Sequence, residues 1–273
     1  MPFLSVYFYK FSYGGKEREL GMLINDIIFY LYIFFVSACI GSFINVVIDR
    51  IISKKKMTMT ERSHCCDCGH VLSFLDLIPI ISYILLRGKC RYCKAKFGID
   101  YLLVEILFAI IGLFLFFYYG LTSEFLLKYI LFVLLYIVFQ VDLKTMEIPI
   151  SCNIGILVLA ILNCIVFNNI SFLDMVLGAF SVSTLLFIVY KLIPGSFGGG
   201  DIKLFFTSGA FLGLGNILVA FILSLIFCLI YIIIKRSKKN TQIAFGPYIS
   251  LGVFISSIWG SVIILNYLQL FVR

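Results

Sequence analysis

Apolar runs long enough to cross a lipid bilayer recur along almost the whole chain, and that recurrence constrains the fold more than any single motif does. A helical span needs roughly 20 apolar residues. Eight stretches approach or meet that length, at about 23–48, 101–119, 125–142, 149–168, 172–193, 201–214, 216–234 and 246–270. Of the 273 residues, 62% are hydrophobic and only 13% charged, about half the charged share of a typical soluble domain, roughly 25%. The fold class is therefore read as an all-α polytopic membrane protein with about eight transmembrane helices. The sixth stretch is short and carries Gly209 and Gly213, with Gly215 just beyond. It is expected to be tilted or re-entrant, an irregularity tolerated at membrane depth where backbone is buried in protein.

Lys and Arg set the orientation. With the polar segment 50–100 on the cytoplasmic side and the spans alternating, the basic residues divide seventeen inside to five outside, as the positive-inside rule requires. That rule also accounts for the net charge of +8, and no aromatic–basic interleaving suggests a nucleic-acid surface. The expected organisation is an N-terminal extension at 1–22, a first transmembrane helix at 23–49, a cytoplasmic loop at 50–100 and a transmembrane bundle at 101–273. The extension is not followed by a short apolar core with a small-residue cleavage site, which argues against a removable signal peptide. The lipid bilayer is a partner by composition; nothing in the sequence sets an oligomeric state.

Four of the nine cysteines, Cys39, Cys152, Cys164 and Cys228, lie singly in apolar segments and read as small buried hydrophobes. The other five share the polar loop. Cys65-x2-Cys68 and Cys90-x2-Cys93 form two knuckles whose thiolates suit tetrahedral zinc, with Cys66 a bystander. Disulfides are the weaker reading in a reducing cytosol. Four thiolates close the coordination sphere, so the metal is expected to staple the loop and not to catalyse; a segment of roughly 50 residues has little core of its own.

Two carboxylates stand out among the apolar segments, because acids at the edge of a span are costly and are functional candidates. Asp201 ends the run Phe197-Gly198-Gly199-Gly200-Asp201-Ile202-Lys203, whose glycines let another chain approach closely. Asp142 lies in Gln140-Val141-Asp142-Leu143-Lys144, a few residues before Ile148-Pro149. Two converging carboxyls that share a proton can divide the work of an aspartic protease: one activates water and the other polarises the scissile carbonyl. Both histidines, His64 and His70, sit in the cysteine loop, so no histidine-based nucleophile is available elsewhere. Asp26, Asp49, Glu124, Glu147 and Asp174 read as interfacial or helix-end charges.

These segments resemble the type IV prepilin peptidases, bifunctional leader peptidase and N-methyltransferase, of the GxGD type of intramembrane aspartyl protease. The resemblance runs through Gly41-Ser42-Phe43-Ile44-Asn45, the paired cysteines, Asp76-Leu77-Ile78-Pro79, Arg87-Gly88-Lys89-Cys90 and Tyr101-Leu102-Leu103-Val104-Glu105. It continues through Asp142 with Ile148-Pro149 and Gly198-Gly199-Gly200-Asp201, and ends at Ala244-Phe245-Gly246-Pro247-Tyr248. Cys66 stands where the family often has proline, and Tyr101-Leu102 lacks the usual proline between them.

The resemblance implies a multi-pass enzyme of the bacterial inner membrane with its active site facing the cytoplasm. Its substrates would be prepilins or pseudopilins of pili, competence or secretion systems. It would remove their basic leader with Asp142 and Asp201 and methylate the new N-terminal residue from S-adenosylmethionine. It also implies structural zinc on Cys65, Cys68, Cys90 and Cys93. The residues that bind the methyl donor are not identified by it; Glu105 is a candidate, with the cysteine loop and the first-span motif as platform. Because the loop and the leader are both basic, attraction is expected from the substrate's apolar helix. The alternatives are a proton-coupled transporter with the aspartates as relay, although no internal repeat supports it, and a metal-stapled scaffold, which leaves the aspartates unexplained.

Overall fold

The computed structural model describes residues 16–54, 64–65, 67–193, 197–235 and 243–271. Cys66, most of the N-terminal extension and several basic residues of the loops lie outside them. Among the described residues the regular structure is helical, with two isolated bridges, His64 with Val71 and Lys89 with Lys96, in the cysteine loop. The chain forms two compact units, residues 1–45 with 59–118, and residues 46–58 with 119–273.

The first unit holds most of α1 (Lys16–Ile52), the cysteine loop with the short helix α2 (Ile81–Leu85), and α3 (Ile99–Tyr119). Here α1 and α3 pack closely: a Cβ on Gly41 would lie 2.9 Å from Phe108 Cβ, and the rings of Tyr30 and Phe116 meet edge to face. In the loop, Asp76 accepts from the hydroxyl and N–H of Ser73 and from Arg91 Nε at 2.7 Å. Burial pushes its carboxyl up, but these three donors outweigh that and hold it below the ordinary value.

The second unit contains α4 (Ser123–Thr145), α5 (Ile150–Ile161), α6 (Phe172–Leu192), α7 (Gly199–Lys235) and α8 (Gly246–Phe271). Local chemistry sets the ends. Thr122 and Ser171 cap α4 and α6 through their hydroxyls, satisfying otherwise orphaned N–H groups. Met146, in the left-handed region, stops α4, and Pro149 leads into α5, which closes in a π turn over Leu162–Val166.

Among the described residues six helices are long and apolar enough to span a membrane, and α5 with its π turn is shorter. The 37-residue α7 is not a single rod, however. Gly213 sits at φ 79°, ψ 175°, outside the helical region. A straight helix would set Phe205 and Phe221 about 24 Å apart, yet their ring centroids are 5.6 Å apart. The chain therefore reverses at Gly213, and α7 is a hairpin of two apolar helices, 199–212 and 214–235. The sixth and seventh apolar stretches are thus distinct, as the sequence suggests, and eight apolar segments are present.

The reversal leaves backbone groups without partners in a regular helix, and side chains satisfy them. Asp174 Oδ1 accepts the Leu214 N–H at 2.9 Å, and Asn163 Nδ2 donates to the Phe211 carbonyl at 3.3 Å. Just before the turn, α6 and α7 touch backbone to backbone at Gly178 and Gly209, where an added Cβ would fall 2.2–2.3 Å from the opposite carbonyl oxygen. Small residues permit such an approach in membranes.

Candidate active site

Asp142 lies near the end of α4, and Asp201 in the first turn of α7; both are buried. Their carboxyls are close enough to interact electrostatically. Three structural links tie the two elements together. Gly246, opening α8, donates its N–H to Asp142 Oδ2 at 2.9 Å. The preceding Phe245 packs its ring against Phe197 and Phe205, at centroid distances of 6.0 and 6.3 Å, on either side of Asp201 in the chain. Ile148, just past α4, lies against Gly200: a Cβ there would be 3.2 Å from Ile148 Cβ.

Asp201 is also held from its own side, its Oδ2 accepting the Gly198 N–H at 3.1 Å. Each carboxylate thus has one oxygen fixed by a backbone donor. The glycines have distinct tasks: Gly200 makes room for Ile148, and Gly246 makes room for Asp142, whose Oδ2 would be 2.6 Å from a Cβ.

In the first unit, Cys65, Cys68, Cys90 and Cys93 gather with their sulfurs all within 4.8 Å of one another. Each knuckle closes through its backbone: Cys65 N–H donates to the His70 carbonyl and Gly69 N–H to the Cys65 carbonyl, and Cys90 and Lys94 make the matching pair. Zinc–sulfur bonds of about 2.3 Å at tetrahedral angles put sulfurs about 3.8 Å apart; Cys65 and Cys93 are 3.7 Å apart. N–H groups of Cys68 and Asp67 hold the Cys65 thiol down at about 7. Cys93 receives a bond from Ala95 N–H that pulls the other way, yet burial and the adjacent sulfurs push it up to about 12. Four sulfurs so close cannot all become thiolates without a cation among them, and the cluster can hold a metal ion. His70 lies apart, its ring against Tyr92.

Glu105, in α3, is buried and accepts the Ile80 N–H at 2.7 Å. Ile80 adopts φ 64°, ψ −52° and Ile81 N–H donates to the Pro79 carbonyl at 2.6 Å. This is a γ-turn of the strained, positive-φ kind, centred on a β-branched residue. The sequence flags Glu105 and the Asp76-to-Pro79 motif separately; the structure joins them.

The sequence reading assigned no role to Gly246, Ile148 or Phe245. Their segments, Ile148-Pro149 and Ala244-Phe245-Gly246-Pro247-Tyr248, carry the resemblance in the sequence, but no side-chain chemistry there announces the contacts they make.

Comparison with known proteins places the chain in a family. The family described as "Bacterial Peptidase A24 N-terminal domain" matches residues 35–119, and "Type IV leader peptidase family" matches residues 129–233. The chain is 32% identical over 245 residues to a prepilin leader peptidase/N-methyltransferase of Vibrio cholerae, covering 83% of this chain and 95% of the relative. A protein of the same name from Neisseria gonorrhoeae is 30% identical, covering 82% and 90%. One from Pseudomonas aeruginosa is 28% identical, covering 90% and 95%. No solved structure gives a significant match. The fold and the matches define a polytopic membrane peptidase. The chain belongs to the prepilin leader peptidase/N-methyltransferase family.

Proposed function

We propose that Asp142 and Asp201 form the catalytic pair that cleaves the leader from a prepilin or pseudopilin. The observation that carries this reading is the double role of Phe245-Gly246. Its N–H fixes Asp142 while its adjoining ring packs against Phe197 and Phe205, four residues before and after Asp201, so one backbone step links the elements that carry the two acids. One carboxyl takes a proton from the attacking water; the other, protonated, hydrogen-bonds the scissile carbonyl and donates as the tetrahedral species forms. The peptide bond then breaks as the leaving nitrogen is protonated, and the pair ends holding a single proton again. The oxygens fixed by Gly198 and Gly246 leave the others to face the substrate.

The site is read as facing the cytoplasm of the bacterial inner membrane, supported by the seventeen-to-five division of basic residues. Cys65, Cys68, Cys90 and Cys93 would hold zinc, which the 3.7 Å sulfur spacing fits. Bound there, zinc supplies charge neutralisation and a cross-link, with no open position for chemistry. S-adenosylmethionine, when bound, supplies a methyl group from a sulfonium centre. A buried carboxylate suits such a cation by charge. Glu105 is proposed as the residue that holds the Pro79–Ile81 turn in shape for that step.

The test is co-expression of the chain with a prepilin, followed by the intact mass of the mature product. A product shortened by its leader and heavier by one methyl group is expected. With Asp142→Asn or Asp201→Asn, the leader should remain attached while the enzyme still accumulates in the membrane; continued cleavage by either variant would overturn the assignment.

A further inference from the structure

Between α5, α6 and α7 runs a groove of about 530 Å3. It begins at Ile202 and Lys203, directly after Asp201, and at Ile150, two residues past the Ile148 that lies against Gly200. From there it reaches inward to Leu157, Phe180 and Thr207. The seven steps from Ile150 to Leu157 correspond to about 10 Å of helix, a depth that takes about three residues of extended chain. Ile150, Ile154, Phe180 and Phe187 along its mouth are all exposed; on membrane helices such side chains face lipid, so the groove opens sideways into the bilayer.

One residue does not fit an apolar groove awaiting only an acyl chain. Asn153 lines it and is 6% exposed, yet neither end of its carboxamide has a hydrogen-bond partner among the described residues. The neighbouring hydroxyls of Ser183 and Thr207 donate to carbonyls of their own helices. A buried amide with both a donor and an acceptor unmet is costly. Hydrocarbon offers it nothing, whereas an extended peptide offers both a carbonyl and an N–H.

We propose that this groove binds the substrate's apolar segment immediately after the cleaved bond, with the Asn153 carboxamide turning onto the substrate backbone. The proposal rests on Asp201 being catalytic: Ile202 and Lys203, the next residues of its helix, line the end of the groove, and a segment bound there lies within a helical turn of Asp201 along the chain. The leader then lies on the other side of the aspartates, outside the groove. Specificity for the residues following the cut comes from apolar contact with Ile154, Leu157 and Phe180. Asn153 is a positioning residue: it aligns the backbone and takes no part in proton transfer.

Full-length enzyme in nanodiscs, carrying a photoreactive benzoylphenylalanine at position 154 or 180 in the Asp201→Asn background, is irradiated with a purified prepilin. Cross-links are expected on the few residues that follow the cleavage position. Cross-links confined to lipid, or to the leader, would overturn the proposal. In the otherwise wild-type enzyme, Asn153→Leu is expected to raise KM about tenfold, the worth of roughly one lost hydrogen bond, with kcat within about twofold and no fall in Tm. An unchanged KM would equally overturn it. Failure of the catalytic assignment has a separate signature: the aspartate variants would still cleave, whatever the cross-links map to.

Discussion

The N–H of Gly246 donates to Asp142 Oδ2 at 2.9 Å across 104 positions of the chain, and no residue but glycine fits where it stands. A Cβ at position 246 would lie 2.6 Å from that oxygen and 3.0 Å from the carboxyl carbon. Because the obstacle is the carboxyl proposed to be catalytic, accommodating a side chain means moving Asp142. Gly246→Ala should therefore lower kcat by about 10²-fold, the scale of an ångström's misplacement in a catalytic group. Timed prepilin cleavage checks this, with Tm measured in parallel to separate misplacement from unfolding.

The two aspartates should behave as one unit. Removing either leaves the other without its partner in proton transfer, so Asp142→Asn, Asp201→Asn and the double variant should all lose cleavage to a similar residual level. Independent sites would instead give multiplying losses. A proton relay for transport would leave prepilin cleavage untouched in all three, which the same gel assay reads directly.

The cysteine cluster should release its metal as pH falls. Thiolates are the ligands, so protons compete with zinc. Cys65, held down at about 7 by backbone N–H groups, is deprotonated above that value and takes a proton below it. Affinity measured with a chromophoric chelator should therefore fall as pH is lowered through 7 and below. Cys90→Ser should reduce the bound zinc from one per chain toward none. Hydrogen exchange should then rise across residues 64–97, the stretch closed by the Cys65–His70 and Cys90–Ala95 bonds.

What could be read from the sequence divides along physical lines. Apolar length gave the spans, including separate sixth and seventh helices, because hydrophobicity and a bilayer's thickness are properties of a segment by itself. The metal cluster was equally visible, since two knuckles declare their ligands by spacing. The hairpin at Gly213 was only half legible: three glycines signalled irregularity, but its polar satisfaction comes from Asp174 and Asn163, 40 and 48 residues away from their backbone partners. Asp174 had been read as an ordinary helix-end charge. Asp142 and Asp201 were conspicuous as acids among apolar residues. The backbone N–H that steadies Asp142 was not, because a main-chain donor has no signature in side-chain chemistry. The strained turn at Ile80 was likewise hidden, since isoleucine is among the last residues one would choose for positive φ.

The turn at Ile80 should depend on Glu105. Glu105→Gln keeps an acceptor for the Ile80 N–H at reduced strength, whereas Glu105→Ala leaves that N–H unmet and the strained backbone unsupported. Methylation of cleaved prepilin, followed by mass, should decline modestly in the first and by at least about tenfold in the second, as expected for loss of a charge-assisted hydrogen bond of about 1.5–3 kcal/mol. Leader removal should continue in both.

Asp174 offers a test of the α7 hairpin that does not involve the catalytic groups. Its Oδ1 is the acceptor for Leu214 N–H, the first donor after the reversal. Asp174→Ala should cost about 0.5–1.5 kcal/mol, the net worth of one hydrogen bond. Asp174→Asn retains the carbonyl oxygen and should cost much less. Gly213→Ala should be worse than either, because it combines φ 79° with a Cβ only 2.2 Å from Asp174 Oδ2. Thermal unfolding of the purified chain in one detergent should rank Asp174→Asn, Asp174→Ala and Gly213→Ala in increasing order of damage. A Gly213→Ala protein as stable as the wild type would mean that α7 runs straight through position 213, and the ring contact between Phe205 and Phe221 would then be impossible.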